Sequence, residues 1–430
     1  MHKPKKIAFK TLGCRLNQYE TDAIASDFDR AGYVIVDFDE QADVYVVNTC
    51  TVTKQGDLKS RQEINKTIRN KNEAVVVMTG CMVNNYSDSL EKFSNVDYFV
   101  ENDRKNAILQ IIDAHFKGEH LTEKDFIPDV FGFNAAKNTF HTRSMIKIQD
   151  GCNNFCSYCI VPKVRGRAVS RPVNDIISNI SQILEFGYKE IVLTGVNIGR
   201  YSYEGTNFEQ LVEKILYIPG EFRVRISSIE PEGFGDQLIA LFDHPKLTQH
   251  LHLCLQSGSD MVLKRMRRFY TVREFLGMIN KIRNRYPDFN FTTDIIVGFP
   301  GETETDFEES VKIARDYKFG HIHTFKYSVR KGTKAATMAD QIPEKIKSER
   351  SRIIRQIADH NKLKYRTSLL GLNQKVLVEK INNKVLARGL CELYVPVEFF
   401  GKNIRENEFA LVKLESVNTN APFTVKGICD

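Results

Sequence analysis

Residues 151–160, which read GCNNFCSYCI, constrain this chain more than any other stretch. Cys152, Cys156 and Cys159 are separated by three and then two residues, and no fourth cysteine or histidine follows nearby. Iron–sulfur clusters normally take four thiolates. Three close thiolates would hold a four-iron cluster by three corners and leave the fourth iron open. An open coordination position turns a structural metal site into a reactive one, as in catalytic zinc. Two plainer readings compete. Cys156 and Cys159 alone form a CxxC pair, compatible with a thioredoxin-like redox couple or half a zinc knuckle. A tetrahedral zinc site wants a fourth ligand at similar spacing, yet the next cysteine is Cys254. The triad also follows a strand-like run, 145–149, and not a hairpin.

The chain has 430 residues, enough for two or three domains, and 42% hydrophobic content, enough to build real cores. No apolar run approaches the ~20 residues that span a bilayer. The start, MHKPKKIAFK, passes directly into a strand pattern without a signal-peptide core, so a cytoplasmic protein with no membrane partner is expected. Nine cysteines in such a chain favour metal or redox chemistry over a disulfide framework. A net charge of +7 permits a nucleic-acid partner without demanding one. Basic residues cluster at Lys163, Arg165, Arg167 and Arg171, at Lys264, Arg265, Arg267 and Arg268, and through 345–366. Charge runs usually mean a solvated face. Arginines beside the triad fit a second role, since a guanidinium fork suits a carboxylate.

In residues 1–119 strand and helix patterns alternate. The runs 7–12, 44–48 and 75–79 are apolar and rich in β-branched residues, as in buried parallel strands, with amphipathic stretches at 20–31 and 57–70 between them. This pattern predicts an α/β domain with a parallel sheet. Cys14 ends KTLGC, Cys50 ends VVNTC and Cys81 ends VVMTGC, each just past a predicted strand. The carboxyl ends of parallel strands line one edge, where ligands bind, so three distant cysteines would converge there. The plain alternative is three unrelated buried cysteines, a common fate for this residue.

CxxxCxxC resembles the signature of the radical S-adenosylmethionine (SAM) enzymes. The two triads together resemble the methylthiotransferase family of that superfamily. The matching segments are TLGCRLNQYE, NTCTVT followed by KSR, TGC, the triad, RGRAVSRP, LTGVNIG, SSIEP, LQSGSD and DIIVGFPGETE, spread over essentially the whole chain. The resemblance implies an amino-terminal auxiliary-cluster domain (1–119), a radical SAM partial TIM barrel (142–365) and a carboxy-terminal TRAM β-barrel (367–430). It implies two [4Fe-4S] clusters, one on Cys152, Cys156 and Cys159, the other on Cys14, Cys50 and Cys81. It further implies SAM bound at the first, a tRNA anticodon stem-loop as substrate, and an electron donor such as flavodoxin or ferredoxin. CRLNQYE resembles the branch acting on threonylcarbamoyladenosine, although Gln18 and Tyr19 are equally compatible with the opening of the first helix.

From 142 to 365 the alternation resumes, with strand candidates at 145–149, 190–194, 224–228, 250–255, 292–297 and 321–327. About six βα units fit a partial TIM barrel, whose functional residues gather at the carboxyl ends of strands. LTGVN (193–197) follows the second, where glycine permits close backbone approach. The resemblance assigns Thr194, Gly195 and Asn197 to the SAM methionine, and Val297 and Phe299, before the Pro300–Gly301 breaker, to adenine. Glu230 and Gln256 end the third and fourth strands and could bond ribose or amino groups, or simply backbone. Arg171 is the candidate for the SAM carboxylate. Lys326 stands in FKYSVRKGT where relatives are expected to carry proline before the tyrosine, facing either a substrate pocket or solvent.

After residue 367 short strand patterns without helices suggest five antiparallel strands. Small barrels often bind nucleic acid, and basic residues beside Tyr394 would serve RNA, but fold alone warrants no function. Cys254, Cys391 and Cys429 lack partners at metal spacing. The expected activity is methylthiolation of carbon 2 of threonylcarbamoyladenosine at position 37 of tRNA, with two SAM molecules consumed. The same chemistry on isopentenyladenosine or a ribosomal-protein aspartate, a radical SAM enzyme whose first triad only transfers electrons, and a zinc-containing RNA-binding protein are the alternatives.

Overall fold

The computed structural model describes residues 3–70, 73–93, 95–137, 140–382 and 386–429. The chain divides into two compact units. The first comprises Met1–Phe186, Thr194–Val196 and Ser328–Ala336; the second comprises Gly187–Leu193, Asn197–Tyr327 and Thr337–Asp430.

The first unit opens with β1 (Lys6–Thr11), α1 (Arg15–Arg30), β2 (Val34–Val36), β3 (Val44–Thr49), α2 (Lys54–Asn70), β4 (Val75–Gly80), α3 (Cys81–Asn85), β5 (Tyr98–Val100) and α4 (Ile108–Lys117). All pairings are parallel, in the order β2-β1-β3-β4-β5. The two central strands, VYVVNT and VVVMTG, are buried at every position, which is why they carry no polar alternation. One sheet face packs Val44, Val46, Val75 and Val77 against Ala23, Ile24 and Phe28 of α1 and Ile108 and Ile112 of α4. The other packs Val47, Val76 and Met78 against Ile64 of α2 and Met82 of α3. Side chains alternate across a strand, so helices must cover both faces. The unit continues through β6 (Ser144–Lys147), β7 (Gln149–Asp150), α5 (Val161–Arg165), β8 (Val169–Ser170) and α6 (Val173–Glu185).

The second unit contains most of the expected central strands. β9 (Glu190–Thr194) is followed by a small hairpin, β10 (Ser202–Tyr203) and β11 (Thr206–Asn207), then α7 (Phe208–Leu216), β12 (Arg223–Ile226), β13 (Ser228–Ile229) and α8 (Asp236–Leu241). Next come β14 (His250–Leu253), α9 (Asp260–Met266), α10 (Val272–Arg285), β15 (Asn290–Val297), α11 (Glu304–Asp316), β16 (His321–Lys326) and α12 (Glu344–Ser368). β12 pairs with β9, and β13-β14-β15-β16 form a four-stranded sheet, all parallel. Capping boxes start α7 (Asn207, Gln210), α10 (Thr271, Glu274) and α11 (Thr303, Asp306), satisfying backbone donors that a helix start otherwise leaves unpaired. Five strands, β17 (Asn373–Asn382), β18 (Leu386–Cys391), β19 (Pro396–Phe400), β20 (Phe409–Val417) and β21 (Val425–Ile428), close a barrel in the order β17-β18-β19-β21-β20. It is antiparallel except for the parallel β19–β21 pair, a departure from the fully antiparallel expectation.

Within this unit the barrel is tied to the βα layer by buried charge. Glu190 accepts from Arg223 Nε at 2.5 Å and Arg225 Nε at 2.9 Å, and both side chains reach barrel carbonyls, Arg223 to Leu390 and Lys375, Arg225 to Cys391. Tyr394 belongs to this junction: Arg225 lies 4.6 Å over its ring and His250 4.7 Å from it. The barrel uses this aromatic to seat itself on the βα layer. The basic run of α12 is likewise not one solvated face. Arg350 pairs with Glu302 at 2.7 Å, and Arg366 donates to the carbonyls of Pro422 and Phe423. Lys326 is exposed beside Glu344 and Ser348, the solvent-facing of its two readings.

Candidate cluster-binding and SAM site

Cys50 and Cys81 directly follow β3 and β4, and Cys14 follows β1 after Leu12 and Gly13; the three strands are neighbours in one parallel sheet. The approach of these strand ends is unusually close. Gly13 (φ +99°) leaves room for Cys50: a methyl group there would lie 2.8 Å from Cys50 Cβ and 2.9 Å from its Sγ. Gly80 (φ +99°) abuts Thr49, whose carbonyl oxygen would stand 2.4 Å from an added Cβ. Only glycine combines that backbone with that clearance. Ser60, from KSR, pins Cys50 by accepting from its N–H at 3.1 Å and donating to its carbonyl at 2.9 Å. Thr51 bonds Asp57 at 2.5 Å, and Arg330 holds both, at 2.7 and 2.8 Å. Burial raises the Cys14 thiol, with Arg165 pulling the other way. Burial also pushes the Cys50 thiol up, to about 11, with the Cys81 and Cys14 sulfurs adding to the shift. Metal binding at these thiols would require their deprotonation.

The second triad lies in the same unit, on the loop between β7 and α5. Gly151 (φ +66°) allows that loop to turn: an added Cβ would lie 1.9 Å from the carbonyl oxygen of Arg167. Cys152 donates its N–H to the Gly166 carbonyl at 3.2 Å and Cys159 to the Cys156 carbonyl at 3.0 Å, while the Asn154 N–H points at Cys152 Sγ from 3.5 Å. Phe155 takes a left-handed backbone (φ 47°) under the Arg167 guanidinium, 4.5 Å from its ring. The backbone amide aimed at sulfur suits a thiolate, and both cysteine sets present the three-thiolate donor group of an open-iron cluster.

The arginines near the triad turn out to have internal partners. Arg165 donates to Glu20, Asp150 and Asn17, so its carboxylates come from the chain itself. Arg171, 5% exposed, donates to Asn179 at 3.2 Å. Thr194 is buried and ends β9, with Gly195 half-buried after it. In the second unit Asn197 donates to Glu230 at 3.3 Å, and Glu230 also accepts from Arg268 at 2.6 Å. Gln256 (φ 66°) exchanges backbone bonds with Asp294 and Ile296 on β15, leaving its half-buried side chain past the strand end. Val297 and Phe299 are fully buried, Phe299 packing on Tyr327.

One cluster was not legible in advance. His252, Cys254 and Asp294 place one donor atom each within 4.8 Å of one another. His252 Nε2 is 3.1 Å from Asp294, and its Nδ1 3.0 Å from Thr292 Oγ1. In HLHLC, His252 on β14 and Cys254 just past its end stand two residues apart, which was the available signal. Cys391 is a core residue of the barrel.

The sequence profile of the uncharacterized protein family UPF0004 matches residues 6–101, and that of the radical SAM superfamily residues 146–314. A threonylcarbamoyladenosine tRNA methylthiotransferase MtaB of Thermotoga maritima is 37% identical over 96% of this chain and 95% of its own length. The MtaB of Bacillus subtilis is 38% identical over 95% and 93%. A tRNA-2-methylthio-N(6)-dimethylallyladenosine synthase of Fusobacterium nucleatum is 36% identical over 96% and 98%. Among solved structures, the radical SAM methyltransferase TsrM of Kitasatospora setae superposes with a TM-score of 0.57 at 13% identity, covering 78% of this chain and 74% of that one, a likeness of fold. No helix among the described residues is long and apolar enough to cross a membrane. With two cysteine triads in one unit and relatives matching from end to end, the chain belongs to the radical SAM methylthiotransferase family, in its MtaB-type branch.

Proposed function

We propose that this chain places a methylthio group on carbon 2 of N6-threonylcarbamoyladenosine at position 37 of tRNA, in the cytoplasm. The observation that carries the reading is the placement of Cys14, Cys50 and Cys81 at three adjacent strand ends, in the same unit as Cys152, Cys156 and Cys159. Cys152, Cys156 and Cys159 hold one [4Fe-4S] cluster and Cys14, Cys50 and Cys81 the other, and with SAM these groups supply the radical and sulfur chemistry. The protein's own work is positional. Gly13, Gly80 and Ser60 bring the first set of thiols together; Gly151 and the Cys152 and Cys159 amide bonds shape the second. Thr194, Gly195, Asn197, Glu230, Gln256, Arg171, Val297 and Phe299 are assigned to SAM. Residues 1–119, 142–365 and 367–430 serve as auxiliary-cluster, radical SAM and TRAM segments, and a flavodoxin or ferredoxin supplies electrons.

The relatives named for threonylcarbamoyladenosine support that substrate, as does the resemblance of CRLNQYE. The Fusobacterium relative supports dimethylallyladenosine as a second reading at nearly the same identity. Mass analysis of tRNA nucleosides from a strain lacking the gene, and from that strain complemented, separates them. Loss and return of the methylthio group on threonylcarbamoyladenosine is expected; loss on the dimethylallyl nucleoside instead overturns the substrate. Cys50→Ala should retain SAM cleavage and make no methylthio product.

A further inference from the structure

Behind the two cysteine sets lies a group of five charges with almost no exposure: Glu20 on α1, Lys105, Lys147 on β6, Asp150 on β7 and Arg165 at the end of α5. Glu20 accepts from Lys105 at 2.5 Å, from Lys147 at 2.9 Å and from the Arg165 fork at 2.9 and 3.1 Å. Asp150 accepts from Lys147 at 2.5 Å and Arg165 at 3.0 Å, and from the backbone N–H of Gly151 at 2.7 Å. Burial alone would neutralise Glu20, but Arg165, Lys105 and Lys147 hold its carboxyl well below the usual range. Burial would likewise lower Arg165, but Glu20 and Asp150 hold it well above. Three cations face two anions, leaving a surplus of one positive charge. Such a group is a poor source of stability, because desolvation costs about what the Coulomb attraction returns.

Its members attach to both cysteine sets. Arg165 donates to Asn17 at 2.6 Å, and Asn17 donates to the carbonyls of Leu12 and Thr49, which precede Gly13–Cys14 and Cys50. Lys105 donates to Asn48 of β3 at 3.1 Å. Asn102 donates to the Val164 carbonyl at 2.7 Å and lies 3.8 Å from Cys81 Sγ, and Cys81 packs with Ile160 and Val164. On the other side, Asp150 and Arg165 flank the loop of Cys152, Cys156 and Cys159. Arg165 is within electrostatic reach of Cys14 and Cys81, and Lys105 of Cys81.

We propose that Glu20, Lys105, Lys147, Asp150 and Arg165 form a positioning device that clamps the Cys152–Cys159 loop to the Cys14, Cys50 and Cys81 strand ends, and that its surplus positive charge raises the reduction potential of the cluster held there. The proposal rests on those three cysteines carrying a cluster. A positive charge favours the reduced, more negative cluster and acts strongly where water is excluded. Asn17 and Glu20 of CRLNQYE thereby serve the joint between the two sets.

The test is a potentiometric titration followed by electron paramagnetic resonance on reconstituted full-length protein, with the SAM-responsive signal assigned to the other cluster. Glu20→Gln raises the surplus by one charge and shifts the auxiliary midpoint upward. Lys105→Gln and Lys147→Gln remove one charge and shift it downward. Damage to packing alone would move all three the same way. Should Glu20→Gln fail to fold, Asp150→Asn changes the charge with the same sign. Opposite shifts support the device; shifts of one sign, or none, overturn it. Iron counted before titration separates the two failures, since a protein without iron on Cys14, Cys50 and Cys81 defeats the cluster reading itself.

Discussion

Replacing Gly13 by alanine probes how tightly the auxiliary site is built. Its φ of +99° is one an alanine adopts only under strain, costing about 1–3 kcal/mol. The new methyl would also stand 2.8 Å from Cys50 Cβ and 2.9 Å from Sγ, where carbon contacts settle near ~3.5–4 Å. Cys50 must therefore withdraw by roughly 1 Å, against a main chain that Ser60 pins on both sides and a packed interior in which overpacking costs about 1–3 kcal/mol. Together these give a loss of about 2–6 kcal/mol. For a unit of this size that is a fall of roughly 4–24 °C in its melting temperature, at about 2–4 °C per kcal/mol. Gly32→Ala is the control: its φ is +88° but nothing lies within 4 Å of the added carbon, so it bears the strain of about 1–3 kcal/mol alone. Calorimetry and iron analysis on the three proteins read both effects. Gly13→Ala should lose about half its iron, as one of two four-iron sites fails, and still cleave SAM. Gly32→Ala should keep all of it. A Gly13→Ala protein with full iron and the melting temperature of Gly32→Ala would refute the crowding of Gly13 against Cys50.

Gly151→Ala collides with the Arg167 carbonyl at 1.9 Å, and should abolish SAM cleavage while the iron on Cys14, Cys50 and Cys81 remains, as read by deoxyadenosine formation and iron content. Glu190→Ala strands Arg223 and Arg225, buried against the carboxy-terminal barrel; losing one partner of a buried pair costs about 3–5 kcal/mol, seen as a lower denaturant midpoint and faster proteolysis of 367–430. Asp22, 3% exposed, is pushed up by burial to about 7. Because its folded pKa lies above the unfolded one, full stability holds below about pH 4 and falls as pH rises towards 7, by roughly 1.4 kcal/mol per unit. Asp22→Asn should therefore be about 2–4 kcal/mol more stable at pH 8, with the gain vanishing near pH 4 in parallel urea titrations.

Where the chain was legible, one local pattern carried a whole feature. Val44–Thr49 and Val75–Gly80 are apolar runs closed by a cysteine, and parallel pairing puts such ends side by side whatever lies between. β2 and β5, at three residues each, are too short to show a period, and α1 begins at Arg15 instead of Glu20, because Cys14 already takes the extended backbone of an N-cap. Gln18 and Tyr19 accordingly do sit in the first helix. The charged joint was hidden for another reason. Its members come from positions 20, 105, 147, 150 and 165, and no periodicity links residues that meet only after folding. Arg165, legible as a free carboxylate receptor, is spent on Glu20 and Asp150.

Anaerobic purification and reconstitution, followed by iron, sulfide and zinc analysis, tests the two-cluster assignment at its root. About eight irons and eight sulfides per chain are expected, falling to about four of each in a Cys14/Cys50/Cys81 triple alanine variant. Stoichiometric zinc without sulfide would contradict both clusters and leave an RNA-binding protein in place of an enzyme.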